Sequence, residues 1–143
     1  MTVASIISLG LIMLCPFCDP ESNVRQEIIL ENELCLFLQE PQALLIGSGI
    51  IIPKEHRESV FDLTEKEWQA TFSMLQLAKE IIDEKYKPNG YNIGWNIGTV
   101  AGQEIFHVHL HIIPRYIDEP LAGKGIRYWF KQASNKRQMR NSA

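Results

Sequence analysis

His107-Val108-His109-Leu110-His111-Ile112-Ile113-Pro114-Arg115 holds three of the chain's four histidines. Residues two apart on a β-strand point to the same face. The spacing therefore predicts a strand over residues 107–113, with His107, His109 and His111 on one side. Val108, Leu110 and Ile112 take the other. Such a strand carries a core on its apolar face and an imidazole-lined pocket on its polar face. Imidazole titrates near neutral pH, and its neutral form is both a good ligand and a good nucleophile. Metal binding, proton transfer and attack on phosphorus are the chemistries this pattern admits.

Upstream of the histidines, Tyr91–Ile97 reads as a strand and Gly98–Gln103 as a glycine-containing loop. Asn96 and Gln103 offer neutral hydrogen-bond donors, and the glycines let backbone N–H groups approach an anion. Downstream, Arg115 suits a phosphate or carboxylate, or a tight turn after Pro114. Thr64-Glu65-Lys66-Glu67 matches a capping box with Thr64 as N-cap. Trp68, Phe72, Leu75, Ala78, Ile81 and Ile82 then recur at helical spacing until Pro88-Asn89-Gly90 stops the helix. Before it, Ile28–Leu30, Leu34–Leu38 and Gly49–Pro53 read as strands, and Val60–Leu63 as a helical turn. Arg127–Arg140 reads as a C-terminal helix. Strands, one long helix, then strands again favour an α+β fold with a largely antiparallel sheet over alternating βαβ units. No linker divides residues 1–143 into two domains.

The chain has 143 residues, 45% of them hydrophobic and 22% charged, which is a globular composition. A net charge of −3 gives no general attraction to nucleic acid or to a membrane, and neither is an expected partner. The charge is uneven. Residues 120–143 carry six basic side chains (Lys124, Arg127, Lys131, Lys136, Arg137, Arg140) and no acidic one. Subtracting this +6 from −3 leaves −9 on the rest. The tail is either a solvated face or a segment that attracts a polyphosphate or reaches a partner subunit. Three cysteines make a poor disulfide inventory, which points to a reducing, cytoplasmic compartment. Residues 1–14 are apolar but lack a basic start and a small-residue cleavage site, so they do not read as a signal peptide. An extension over residues 1–12, ahead of an alternative start at Met13, reads better.

Cys15-Pro16-Phe17-Cys18 is a second signal. Alone, such a pair is redox-active, metal-binding, or simply two buried thiols.

The histidine stretch, together with Ala101-Gly102-Gln103, Asn96, Pro114-Arg115, Gly49-Ile-Ile-Ile-Pro53-Lys54 and Asp62-Leu63-Thr64, resembles the histidine triad family over about residues 13–118. That family comprises nucleotide hydrolases and nucleotidyl transferases acting at an α-phosphorus through a nucleotidyl-histidine intermediate. The resemblance implies a five-stranded, largely antiparallel sheet with one long helix and shorter helices. It also implies a twofold homodimer with a continuous sheet, with residues 129–131 packing on the neighbouring subunit. By the same resemblance His109 is the nucleophile, and His111, Asn96 and Gln103 contact phosphate or leaving group. Backbone amides around residues 103–105 would act as an oxyanion hole. One branch of the family binds structural zinc, which implies Cys15, Cys18, His56 and His107 as a Cys₂His₂ set. No catalytic metal is required. Dinucleoside polyphosphates such as diadenosine tetraphosphate are the expected substrates, with nucleoside phosphoramidates or a purely nucleotide-binding role as alternatives.

Two departures stand out. Gly47 is followed by Ser48 where many members have histidine. Glu104 follows Gln103 where phosphoramidase-type members have Ser or Thr. Ile28, Phe37, Leu38 and Ile50 are candidates to flank a base or to lie in the core, and Gln39 or Glu40 stands where a ribose-binding Asp or Asn is usual.

Overall fold

The computed structural model describes residues 15–139, so the apolar start of the chain lies outside the described residues. Five strands form one sheet: β1 (Glu27–Glu31), β2 (Cys35–Gln39), β3 (Gly49–Pro53), β4 (Gly90–Trp95) and β5 (Leu110–Arg115). One long helix among the described residues, α1 (Glu65–Tyr86), lies between β3 and β4. The strand order is β1-β2-β3-β5-β4, and every pairing is antiparallel. Since β3 and β4 both run opposite to β5, they run the same way, and α1 supplies the crossover that parallel strands require. The α+β expectation holds.

The two faces of the sheet are covered by different things. On one face Cys35, Phe37, Ile51, Leu110 and Ile112 pack against Met74, Ala78 and Ile82 of α1. On the other, Leu36, Leu38 and Ile52 pack against Cys15 and Phe17. All five residues of β2 are buried because both its faces are covered. In β5 the alternation read from sequence appears as strict alternation of burial.

Thr64 caps α1 as its sequence demands. Its side chain accepts from the Glu67 amide and the Glu67 carboxylate accepts from the Thr64 amide. Ser59 and Asp62 form a second capping box on the short turn Val60–Asp62. The helix ends at Lys87, which adopts a left-handed conformation (φ 51°) just before Pro88.

Three expectations need correction. The buried stripe of α1 is Glu67, Thr71, Met74, Ala78 and Ile82, while Trp68 and Phe72 are exposed. The helix carries two apolar stripes, and the sheet takes the one with the narrower side chains. The histidine strand begins at Leu110, because the Val108 amide bonds to the Arg57 carbonyl (2.6 Å) instead of joining the ladder. Residues 127–139 form turns and one short 3₁₀ segment (Ala133–Asn135), not a helix. Their side chains are largely exposed, and a short helix with no face to bury is marginal in water.

Candidate active site and metal centre

The histidines divide into two groups. His107 is fully buried and its ring lies edge-on to His56, with centroids 5.1 Å apart. His109 and His111 meet edge-on, with centroids 4.8 Å apart and planes 68° apart. Phe17 stands between the groups, 6.0 Å from the His107 ring and 5.1 Å from the His109 ring.

Hydrogen bonds fix the tautomers. His107 Nε2 lies 2.7 Å from the Pro53 carbonyl oxygen, which only accepts, so Nε2 carries the proton. Its Nδ1 therefore presents a lone pair, 3.4 Å from Cys15 Sγ and 3.5 Å from Cys18 Sγ. His109 Nδ1 donates to the His107 carbonyl at 2.9 Å, which leaves the lone pair of the neutral ring on Nε2. His111 Nε2 is buried without a hydrogen-bond partner among the described residues. Burial, and then the neighbouring His109, holds the His111 ring below the usual imidazole range.

Cys15, Cys18, His56 and His107 bring one ligand atom each to within 4.8 Å of one another. Cys18 Sγ lies 3.2 Å from His56 Nδ1. Tetrahedral zinc with ordinary bond lengths sets sulfur and nitrogen about 3.5 Å apart, so these spacings match a chelate. The protonation chemistry agrees. Burial and the adjacent Cys15 push the Cys18 thiol up to about 11, and a cation shared by the two sulfurs would bring it down again. Burial pushes His107 down to about 4, so it stays a neutral ligand. The Pro53 carbonyl orients the His107 ring from behind, as partners of metal-binding histidines do. The four residues fit a metal ion, and none of them is His109.

A cavity of about 340 Å³ opens beside this knot. His109, His111, Phe17, Leu38, Ile50 and Ile105 supply its walls, and Asn23, Gln26, Glu40, Gln42 and Ser48 add polar groups. That volume is at the small end of ligand pockets. Of the base-flanking candidates, Leu38 and Ile50 line the cavity. Phe37 lies on the helix face and Ile28 is exposed. The alternation of β2 decides this. Gln39 is nearly buried and its amide donates to the Gly47 carbonyl at 2.9 Å, tying down the loop before β3.

Asn96 and Gln103 are not among the residues lining the cavity. The Gln103 amide nitrogen donates to the Glu58 carbonyl (2.7 Å) and the Ile105 carbonyl (3.2 Å), and its oxygen accepts from the Gly98 amide. Its own backbone amide bonds to the Gly98 carbonyl. Gln103 thus closes the 98–105 loop. Arg115 also turns inward. Its guanidinium bonds to Glu119, Asn92 and the Leu121 and Lys124 carbonyls, bracketing the segment after β5. No described basic residue of the tail lines the cavity. Sequence reasoning missed Phe17, whose signal was its place inside the Cys-x-x-Cys loop. It also missed Arg57, whose ion pair with the buried Glu67 joins the His56 loop to α1.

A family model for the HIT domain matches residues 21–118. A HIT-like protein of Mycoplasma genitalium is 35% identical over 129 residues, covering 87% of this chain and 86% of that one. A bis(5'-adenosyl)-triphosphatase of Dictyostelium discoideum is 33% identical over 93 residues, covering 64% and 62%. Among solved structures, a Zn-bound histidine triad protein of Mycobacterium smegmatis superposes with a TM-score of 0.67 at 27% identity, covering 79% of this chain and 83% of that one. The sheet, the paired histidines and these matches agree: the chain belongs to the histidine triad (HIT domain) family.

Proposed function

We propose that the protein is a nucleotide hydrolase that cleaves dinucleoside polyphosphates at an α-phosphorus, with His109 as the nucleophile. One observation carries this reading. His109 is locked by the His107 carbonyl in the tautomer that leaves Nε2 unprotonated, beside a buried His111 nitrogen that has no partner among the described residues, on one cavity wall. A nucleophile with its lone pair free and a neighbouring group lacking a partner suit attack on a phosphoryl group.

In this scheme His109 Nε2 attacks the α-phosphorus, the bond from that phosphorus to the bridging oxygen breaks, and the leaving nucleotide departs as its phosphate anion, taking a proton from solvent. Water then attacks the phosphorus and the phosphorus–nitrogen bond breaks: nucleoside monophosphate leaves, the electron pair returns to Nε2, the water's proton passes to solvent, and His109 is neutral again. His111 contacts the phosphate oxygens. Asn96, outside the cavity lining, contacts the departing group. Gln103 reaches substrate only by exchanging its present hydrogen bonds, so its first task is to hold the loop. The Dictyostelium relative's name supports the substrate class. Glu104 supplies no hydroxyl near the leaving group, which favours anhydrides over phosphoramidates.

Zinc is the metal we propose for Cys15, Cys18, His56 and His107, in a structural role that closes the N-terminal knot on the back of the histidine segment. The Mycobacterium neighbour supports it. A cytoplasmic homodimer completes the reading.

Mass spectrometry after brief exposure to diadenosine polyphosphates and adenosine phosphoramidates tests the mechanism. The expected result is an adenylyl adduct on His109, absent in His109→Ala together with turnover. Full turnover by His109→Ala would remove His109 as nucleophile. Tight nucleotide binding with no product would make the protein a nucleotide-binding module instead.

A further inference from the structure

We propose that Phe17 is a positioning residue for His109, so that closing the metal knot and aligning the nucleophile are one structural event. This rests on the reading of His109 as nucleophile. Phe17 sits inside the four-residue loop whose ends are Cys15 and Cys18, and that loop is tightened by a Cys18 amide to Cys15 carbonyl bond of 3.2 Å. The loop has almost no freedom once both thiols share a cation. Its apex side chain is only 7% exposed and packs with Leu36, Leu38 and Ile52 on the sheet. From there the phenyl ring meets the His109 ring edge-on, with centroids 5.1 Å apart and planes 70° apart.

The His109 ring needs such a contact. The χ2 torsion of histidine is broad, so one hydrogen bond at Nδ1 leaves the ring free to rock. Rocking swings Nε2 across the line of attack, and small misplacements of a reacting atom cost large factors in rate. The Phe17 edge and the His107 carbonyl restrain the ring from two directions. Both restraints come from the same knot, since His107 turns Nδ1 to the two thiols, where it would meet a cation, and gives its carbonyl to His109. Phe17 has no polar atom, so it acts through shape alone.

The test uses the full chain loaded with one equivalent of zinc, in wild type, Phe17→Ala and Phe17→Leu, with metal content measured on each. The first readout needs no substrate: solvent exchange of the His109 Nδ1 proton and the proton–proton contact between residues 17 and 109, by NMR. The expected result is about ten-fold faster exchange in zinc-loaded Phe17→Ala, with Phe17→Leu close to wild type. The second readout is kinetic. A positioning role lowers kcat about ten-fold in Phe17→Ala with KM little changed, and leucine restores most of it. An unchanged exchange rate in metal-loaded Phe17→Ala, or a rise in KM alone as for a mere cavity wall, overturns the proposal. If Phe17→Ala does not hold zinc, the wild type decides. Zinc added to chelator-stripped protein should bring the 17–109 contact and slow the exchange together, and a contact already complete without metal overturns the coupling. If no substrate turns over, the hydrolase reading fails while the exchange measurement still answers for Phe17.

Discussion

Gly49 opens β3 where no larger residue has room. A Cβ there would stand 2.5 Å from Phe37 Cε2 and 2.6 Å from the Leu38 carbonyl oxygen, and the latter is backbone that cannot swing away. Gly49 pairs with Gln39 on one side and Ile112 on the other, beside the cavity. Gly49→Ala is expected to destabilise the fold by about 1–3 kcal/mol through overpacking, measured by urea denaturation. The buried imidazoles make a second prediction at this scale. Burial lowers His107 from 6.5 to about 4 and lowers His111 in the same direction. Below pH 6.5 the unfolded chain binds protons that the folded rings refuse. Stability present above that pH therefore declines on acidification and is lost as the pH reaches about 4. The urea midpoint of the metal-free protein should fall across this window. His111→Asn should flatten the slope, and an unchanged slope would mean that His111 does not contribute.

At the entry to α1, Glu67 does two jobs. Its carboxylate accepts from the Thr64 amide and receives the Arg57 guanidinium at 3.1 Å, while being only 3% exposed. Arg57 in turn offers its carbonyl to the Val108 amide. The start of the helix, the His56 loop and the histidine segment are thereby tied at one point. Glu67→Ala is expected to cost about 2–3 kcal/mol, from a lost cap and a lost charged hydrogen bond. Thermal unfolding checks it, and a loss below about 0.5 kcal/mol would show the pair to be a surface-type contact. The cap was legible because Thr-x-x-Glu is a local pattern with a local cause. So was the alternation in β5, since period two survives where a strand's two faces meet different surroundings, here the helix-backed core and the cavity. The helix face was less legible. Trp68 and Phe72 share the period of Met74 and Ile82, and only the sheet's position decides which stripe it covers. The roles of Gln103 and Arg115 were hidden for a related reason. A polar side chain near a site in sequence serves substrate or backbone alike until the loop's carbonyls are placed.

The two sheet faces separate support from chemistry: α1 backs one, and the knot, the cavity and the paired histidines occupy the other. Stripping the metal should thus loosen residues 15–18 and His56 more than α1. Hydrogen exchange with and without a chelator checks this, and equal loosening of α1 would show the knot to be part of the common core. Among the described residues β4 ends the sheet and pairs only with β5, as β1 at the other end pairs only with β2. An uncovered edge with free N–H and C=O groups invites another strand. Beside it, Trp95 packs edge-on against Trp68 with centroids 5.5 Å apart, and Trp68 and Phe72 extend an apolar stripe of α1 into solvent. A second copy offering the same edge and stripe is self-complementary about a twofold axis, pairing β4 with β4 and covering both aromatics. We expect a homodimer by light scattering at micromolar concentration, and Phe72→Glu, which places a charge in the seam, should shift it to monomer with the far-UV spectrum retained. A wild-type monomer under those conditions, or a Phe72→Glu dimer, would remove β4 as the interface and leave the exposed α1 stripe unexplained.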